Sequence, residues 1–155
     1  MINAFSDLST EEKDLMLRVP MLVSILIAGA DNNIDRSEIK KSISIINNKQ
    51  STARQDLMEY YQEIGTDFED KLKIVMQSYP VDSSERNPII IGELEKLNDI
   101  LPKLERNYAI KFYESIKDVA KKIAEASGGV LGYMAVGYEE SKLIGLNMIN
   151  DPSTY

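Results

Sequence analysis

The chain contains no cysteine and no histidine. It therefore cannot build a zinc site of the Cys/His type, a thiol nucleophile, or a catalytic triad that depends on imidazole. It also has no tryptophan to stack against a sugar ring. These absences exclude most familiar hydrolase chemistry, and the lack of cysteine suits a reducing cytoplasm.

Positive charge is also scarce, since 18 basic residues face 25 acidic ones for a net charge of −7. The balance is −4 over residues 1–80 and −3 over residues 81–155. An acidic surface repels phosphate backbones and anionic lipids, so we expect no nucleic-acid partner and no membrane surface. The longest apolar run, residues 19–30, is shorter than the roughly 20 residues that span a bilayer. We therefore expect no membrane insertion and a cytoplasmic location.

Apolar residues recur at helical spacing along most of the chain, and no strict alternation supports a sheet. At 155 residues the length fits one domain. We predict a single all-α bundle of about seven helices over residues 1–155. A capping box at Ser9 and Glu12 begins the first helix, which Pro20 should kink or split. Further helices are predicted at 36–48, 52–64, 68–79, 89–101, 104–126 and 138–149, with a loop at 80–88.

The most informative stretch is the oxygen-rich turn at residues 31–38, between an apolar helix and an amphipathic one. A similar arrangement recurs in the second half, where helix residues 123–126 precede a longer turn and Glu140. Pseudo-symmetric packing of the two units would bring their acidic residues to one end of the bundle. Oxygen ligands of this kind suit Ca²⁺ or Mg²⁺. The candidate metal ligands are Asp31, Asn33, Asp35, Glu38, Glu139 and Glu140.

Two other interpretations of this turn remain open. Asp31, Asn33, Asp35 and Ser37 occupy positions 1, 3, 5 and 7 of an EF-hand loop, but Arg36 replaces the glycine and Ser42 the bidentate glutamate. A simpler interpretation is that Asp35 and Glu38 form a capping box and the carboxylates stay solvated. A glycosidase pair of Glu38 and Glu140 has no support beyond residue type.

A glycine-rich segment, residues 128–137, carries the second candidate site. No Gly-Lys-Ser/Thr follows it and two glutamates do, so a phosphate-binding loop is disfavoured. Its apolar content is unusual for a loop and favours a surface that binds a partner protein or forms a homodimer. The candidate partner-binding residues, within a loop spanning 127–137, are Val130, Leu131, Tyr133, Met134 and Val136.

The sequence Ala30-Asp31-Asn32-Asn33-Ile34 followed by Glu38, with the second-half counterpart Glu139-Glu140, resembles the tellurite-resistance TerB-like family, which includes the N-terminal domain of the DjlA co-chaperones. Asn32 stands in place of the family's glycine and Ser127 in place of its second aspartate. The resemblance implies an all-helical, non-enzymatic domain with an acidic metal site at Asp31, Asp35, Glu38 and Glu140.

We therefore expect an intracellular binding or adaptor module rather than an enzyme, with a divalent cation fixing the two halves and an unknown protein as its partner. The alternative is a metal-free interaction domain that uses the loop at 127–137.

Overall fold

The computed structural model describes residues 2–30, 34, 36–126 and 143–155, and this part of the chain is helical with no strand. The prediction of an all-α fold is confirmed. Six helices have ten residues or more and a seventh is a single turn. Their bounds are α1 Thr10–Ala28, α2 Arg36–Thr52, α3 Gln55–Gly65, α4 Phe68–Gln77, α5 Ser83–Glu95, the single turn α6 Leu97–Ile100, and α7 Arg106–Ala126. Short 3-10 turns lie at Asn3–Phe5, Leu101–Lys103 and Pro152–Thr154.

Helix α1 is the centre of the bundle. The predicted capping box is present, with Ser9 Oγ accepting from the Glu12 N–H at 3.2 Å and Glu12 accepting from the Ser9 N–H at 2.8 Å. Every residue from Val19 to Ala28 is buried. A helix that is apolar on all sides must be surrounded, and α2, α3, α4, α5 and α7 all pack against α1.

Pro20 lies inside α1 without splitting it, so of the two predicted outcomes the split does not occur. Proline has no N–H, so the carbonyl of Met16, four residues earlier, lacks its helical partner. The Tyr60 hydroxyl from α3 donates to that carbonyl at 2.6 Å, and the Tyr60 side chain is fully buried. A side chain from another helix thus replaces the missing backbone bond.

The predicted loop at 80–88 is largely helical, because α5 begins at Ser83 and continues through Pro88. The Asp82 carboxylate caps this helix by accepting from the Ser84 N–H at 2.9 Å. Pro88 removes only the one backbone bond that its own N–H would have donated. Helix α2 also extends beyond its predicted end to Thr52, and α4 ends at Gln77 rather than at residue 79.

The last predicted helix is wrong over residues 144–149, where the chain turns instead, and residues 138–142 lie outside the described part. Leu146 is buried with a positive φ of 49°. Asn98 of α6 holds this segment by donating to the Met148 carbonyl at 3.0 Å and accepting from the Asn150 N–H at 2.7 Å.

Helix α7 matches its prediction closely, and all six of its predicted core residues are buried: Tyr108, Phe112, Ile116, Val119, Ala120 and Ile123. Within the ranges described, no helix combines the length and apolar character needed to cross a bilayer.

Candidate functional site

The predicted metal site belongs to the junction between the end of α1 at Ala28 and the start of α2 at Arg36. Of its six predicted ligands, only Glu38 lies within the described residues. Asp31, Asn33, Asp35, Glu139 and Glu140 lie outside them. The same holds for the predicted partner-binding residues Val130, Leu131, Tyr133, Met134 and Val136.

Glu38 lies in the first turn of α2, and its side chain is 0% exposed. The interpretation that the Glu38 carboxylate stays solvated is therefore wrong. Moving a carboxylate out of water costs several kcal/mol unless hydrogen bonds or opposite charge compensate. The fold thus buries the Glu38 carboxylate close to the oxygen-rich residues 31–35.

A buried arginine holds the other side of the junction. Arg86 of α5 is 1% exposed, and its guanidinium donates to the Gly29 carbonyl at 2.6 Å and to the Val81 carbonyl at 2.8 Å. Gly29 follows the last residue of α1, where the helix dipole places partial negative charge. The positive guanidinium therefore complements the end of α1.

Gly29 leaves space for this contact. A Cβ atom at residue 29 would lie 2.5 Å from Arg86 Nη2 and 3.1 Å from Arg86 Cζ. A larger residue there would therefore force the guanidinium to move from its present position.

Asn87, next to Arg86, donates from its side-chain amide to the Ala30 carbonyl at 3.2 Å. Two consecutive residues of α5 therefore fix the two carbonyls that immediately precede Asp31. Neither residue was among the predicted site residues, because both were predicted to lie in a loop. The N-terminal signature Asp82-Ser83-Ser84-Glu85 could have revealed the helix that positions them.

Oxygen donors at this junction fit a hard divalent cation in kind, since Glu38 offers a carboxylate and the turn at 31–35 carries carboxylates and amides. In the described part of the chain, no group of three or more acidic residues is arranged to hold a metal. Arg86 also supplies a permanent positive charge to the same junction. The oxygen donors are thus of the kind that a divalent cation prefers. The Arg86 guanidinium already places one positive charge beside the backbone of Gly29.

Tyr79 and Asp118, outside the junction, have shifted pKa values. Burial raises the pKa of Tyr79 to about 12, with the hydrogen bond to Glu93 adding to the shift. Burial alone would raise the pKa of Asp118, but hydrogen bonds from Lys122 and Lys49 lower it overall. Catalytic groups usually have pKa values shifted toward neutrality, whereas these two shifts move each group further from it.

An apolar groove of about 370 Å³ lies between α1, α3 and α4. Leu17, Met21, Ile64 and Val75 line it together with Ile74, which is 65% exposed. Its rim carries Asp14 and Glu63 beside Arg18 and Lys71, so neither sign of charge dominates. The groove adds an accessible apolar surface that sequence analysis did not identify.

Comparison with known proteins gives no match to a family model, to a curated protein or to a solved structure. Membership in the TerB-like family therefore stays a prediction that rests on the turn at residues 30–38 and its second-half counterpart.

Proposed function

We propose that the protein is a non-enzymatic binding or adaptor module of the cytoplasm in which Ca²⁺ or Mg²⁺ binds at the junction between α1 and α2. The observation that carries the proposal is the complete burial of Glu38 beside an oxygen-rich turn. A buried carboxylate is an oxygen ligand of the kind that Ca²⁺ and Mg²⁺ prefer, and Asp31 and Asp35 are the proposed ligands beside it. Asn33, Glu139 and Glu140 are the further proposed ligands.

The protein's own residues would prepare the turn for an ion. Arg86 and Asn87 fix the carbonyls of Gly29 and Ala30, and the first turn of α2 fixes Glu38. A turn that is anchored at both ends loses less conformational entropy on binding. The ion would supply positive charge that relieves repulsion among the carboxylates, and binding of a protein partner would then depend on the ion.

A metal-free interaction domain is the second candidate, and the burial of Arg86 favours it. A guanidinium is always charged, and at this junction it already supplies a cation to the end of α1. In the metal-free candidate, the hydrogen bonds of Arg86 stabilise the end of α1 and no ion is needed. The partner would bind at the loop spanning 127–137, through Val130, Leu131, Tyr133, Met134 and Val136.

Thermal melts of the chelated protein with and without about 1 mM Ca²⁺, Mg²⁺ or Mn²⁺ distinguish the two candidates. A ligand that prefers the folded state raises Tm, and at 100 times its Kd it adds about 2.7 kcal/mol of stability. We expect one ion to raise Tm for the wild type and for Asp7→Asn, which changes an exposed aspartate far along the chain from the turn.

Asp31→Asn should lose that rise because it removes a proposed ligand while keeping the side-chain shape. If no ion raises the Tm of the wild type, the cation proposal is wrong and the metal-free interaction domain stands. An equal rise in Asp31→Asn would place the ion elsewhere and would also contradict the proposal.

A further inference from the structure

Positive charge is concentrated on two helices that pack against each other. Helices α2 and α7 together carry nine basic and four acidic residues, a net charge of +5. The rest of the chain carries nine basic and 21 acidic residues, a net charge of −12. The two halves of the sequence have similar net charges, but positive charge is concentrated where α2 and α7 pack against each other.

A polar groove of about 590 Å³ opens between the first turns of α2 and the last turn of α7. We name it the basic groove, and it is lined by Ser37, Lys40, Lys41, Lys122, Glu125 and Ala126. Three lysines thus face one carboxylate. The amino end of α2 adds partial positive charge to the same side.

Two of these lysines are exposed to solvent. Lys40 and Lys41 are exposed, and neither forms an ion pair with another described residue. Lys122 contacts Asp118 at 3.0 Å, but Asp118 is also held by Lys49 at 3.3 Å. That carboxylate therefore neutralises at most part of the charge that the groove presents.

We propose that the basic groove binds an acidic segment of a partner protein, through Lys40, Lys41 and Lys122. The proposal rests on the binding function proposed above and names the chemistry of the partner. Complementary charge speeds encounter and fixes the register of a complex. Lysine ammonium groups are mobile point charges, which suits carboxylates presented on a short peptide without fixed geometry.

An extended polyanion fits this surface less well. A nucleic acid or an anionic membrane makes many contacts over a wide area, and beyond α2 and α7 it would meet the −12 of the remaining chain. Glu125, inside the groove, can accept a hydrogen bond from a peptide N–H, a donor that a phosphate backbone lacks. Both features favour a short acidic segment.

The test is fluorescence anisotropy of a labelled peptide of alternating glutamate and alanine, titrated with the full chain at about 50 mM salt, both in EDTA and with about 1 mM Ca²⁺ or Mg²⁺. We compare the wild type with Lys40→Gln/Lys41→Gln/Lys122→Gln and with the control Lys71→Gln/Lys73→Gln/Lys96→Gln. All six lysines are exposed, and both triple variants lower the net charge by the same amount. A difference between the two variants would therefore show that binding depends on the position of the lysines and not only on the net charge.

We expect the groove variant to weaken peptide binding at least about tenfold and the control to change it by about twofold or less. Raising the salt to about 300 mM should weaken binding by the wild type. Absence of binding by the wild type, or equal losses in the two variants, would overturn the proposal. Stronger binding of oligothymidylate or of anionic vesicles through the same three lysines would overturn it as well.

The ion melts depend on Asp31 and Glu38, which the lysine variants retain. A wild type that responds to an ion but does not bind the peptide would reject the basic groove alone. A wild type that binds the peptide without responding to any ion would reject the cation alone.

Discussion

The junction between α1 and α2 and the basic groove between α2 and α7 handle charge in opposite ways. Glu38 and Arg86 at the junction are at most 1% exposed, and Arg86 is bonded to two carbonyls. Lys40 and Lys41 follow Glu38 by two and three residues on the same helix, yet both are exposed. Buried charged residues therefore stabilise the fold, whereas exposed ones can contact a partner. Neither the residue type nor the position in the sequence makes this distinction.

The difference has an energetic basis. Removing one member of a buried hydrogen bond leaves the other unsatisfied at a cost of about 1–3 kcal/mol. An exposed ion pair contributes between about 0 and 1 kcal/mol. Changes at the junction should therefore alter the free energy of unfolding, whereas changes in the groove should alter binding.

The largest expected effect is that of Arg86→Met, which keeps much of the side-chain volume but removes both donors. The carbonyls of Gly29 and Val81 would lose their partners, so we expect the free energy of unfolding to fall by about 3 kcal/mol or more. Urea unfolding measures this loss. The matched control is Arg54→Met, since Arg54 is exposed and reaches Glu114 only at 3.9 Å. It should cost less than about 1 kcal/mol, and equal losses would contradict the comparison.

Tyr60→Phe extends the comparison to a buried neutral group and should cost about 1–3 kcal/mol, because the Met16 carbonyl would lose its donor. Pro20→Ala restores the backbone N–H that proline lacks. In the Pro20→Ala background the cost of Tyr60→Phe should therefore shrink, and a double-mutant cycle by urea unfolding measures the coupling. Fully additive losses would show that Tyr60 does not replace the missing bond. Tyr155→Phe, at an exposed tyrosine, is the control.

A smaller, graded effect is expected at alkaline pH. Burial raises the pKa of Tyr60, Tyr61 and Tyr108 in the folded protein. Below about pH 10 these tyrosines are protonated in both states, so their contribution to stability is fully present. Above that pH the unfolded chain releases protons first, and stability falls by up to about 1.4 kcal/mol per pH unit for each tyrosine.

Urea midpoints between about pH 9 and pH 11 measure this slope. Tyr60→Phe should make it shallower because one of the tyrosines can no longer titrate. A slope that is the same in the variant and the wild type would show that Tyr60 does not contribute.

Local signals predicted much of the fold. The capping box at Ser9 and the apolar stripe of α7 depend on residues close in sequence, and both are present as predicted. The continuity of α1 at Pro20 could not be predicted locally, because Tyr60, which compensates for the missing bond, lies on another helix. The start of α5 was missed although Asp82 supplied a recognisable cap, because two prolines dominated the interpretation.

The site was harder to predict, for a physical reason. A glutamate in the first turn of a helix has the same local sequence whether it is solvated or buried, and only packing places Glu38 in the interior. Arg86 approaches Gly29 from 57 residues away. The basic groove likewise requires α2 and α7 to meet, so a charge count along the chain does not reveal it.

The most direct test compares Glu38→Gln with Lys40→Gln, two conversions of a charge to an amide on the same helix. Urea unfolding and affinity for the acidic peptide are measured for both variants. We predict that Glu38→Gln, which neutralises a fully buried charge, changes the free energy of unfolding by at least about 1 kcal/mol and leaves peptide affinity in EDTA unchanged. Lys40→Gln should weaken peptide binding and change stability by less than about 0.5 kcal/mol. Equal changes in stability, or a loss of peptide affinity in Glu38→Gln alone, would contradict the account.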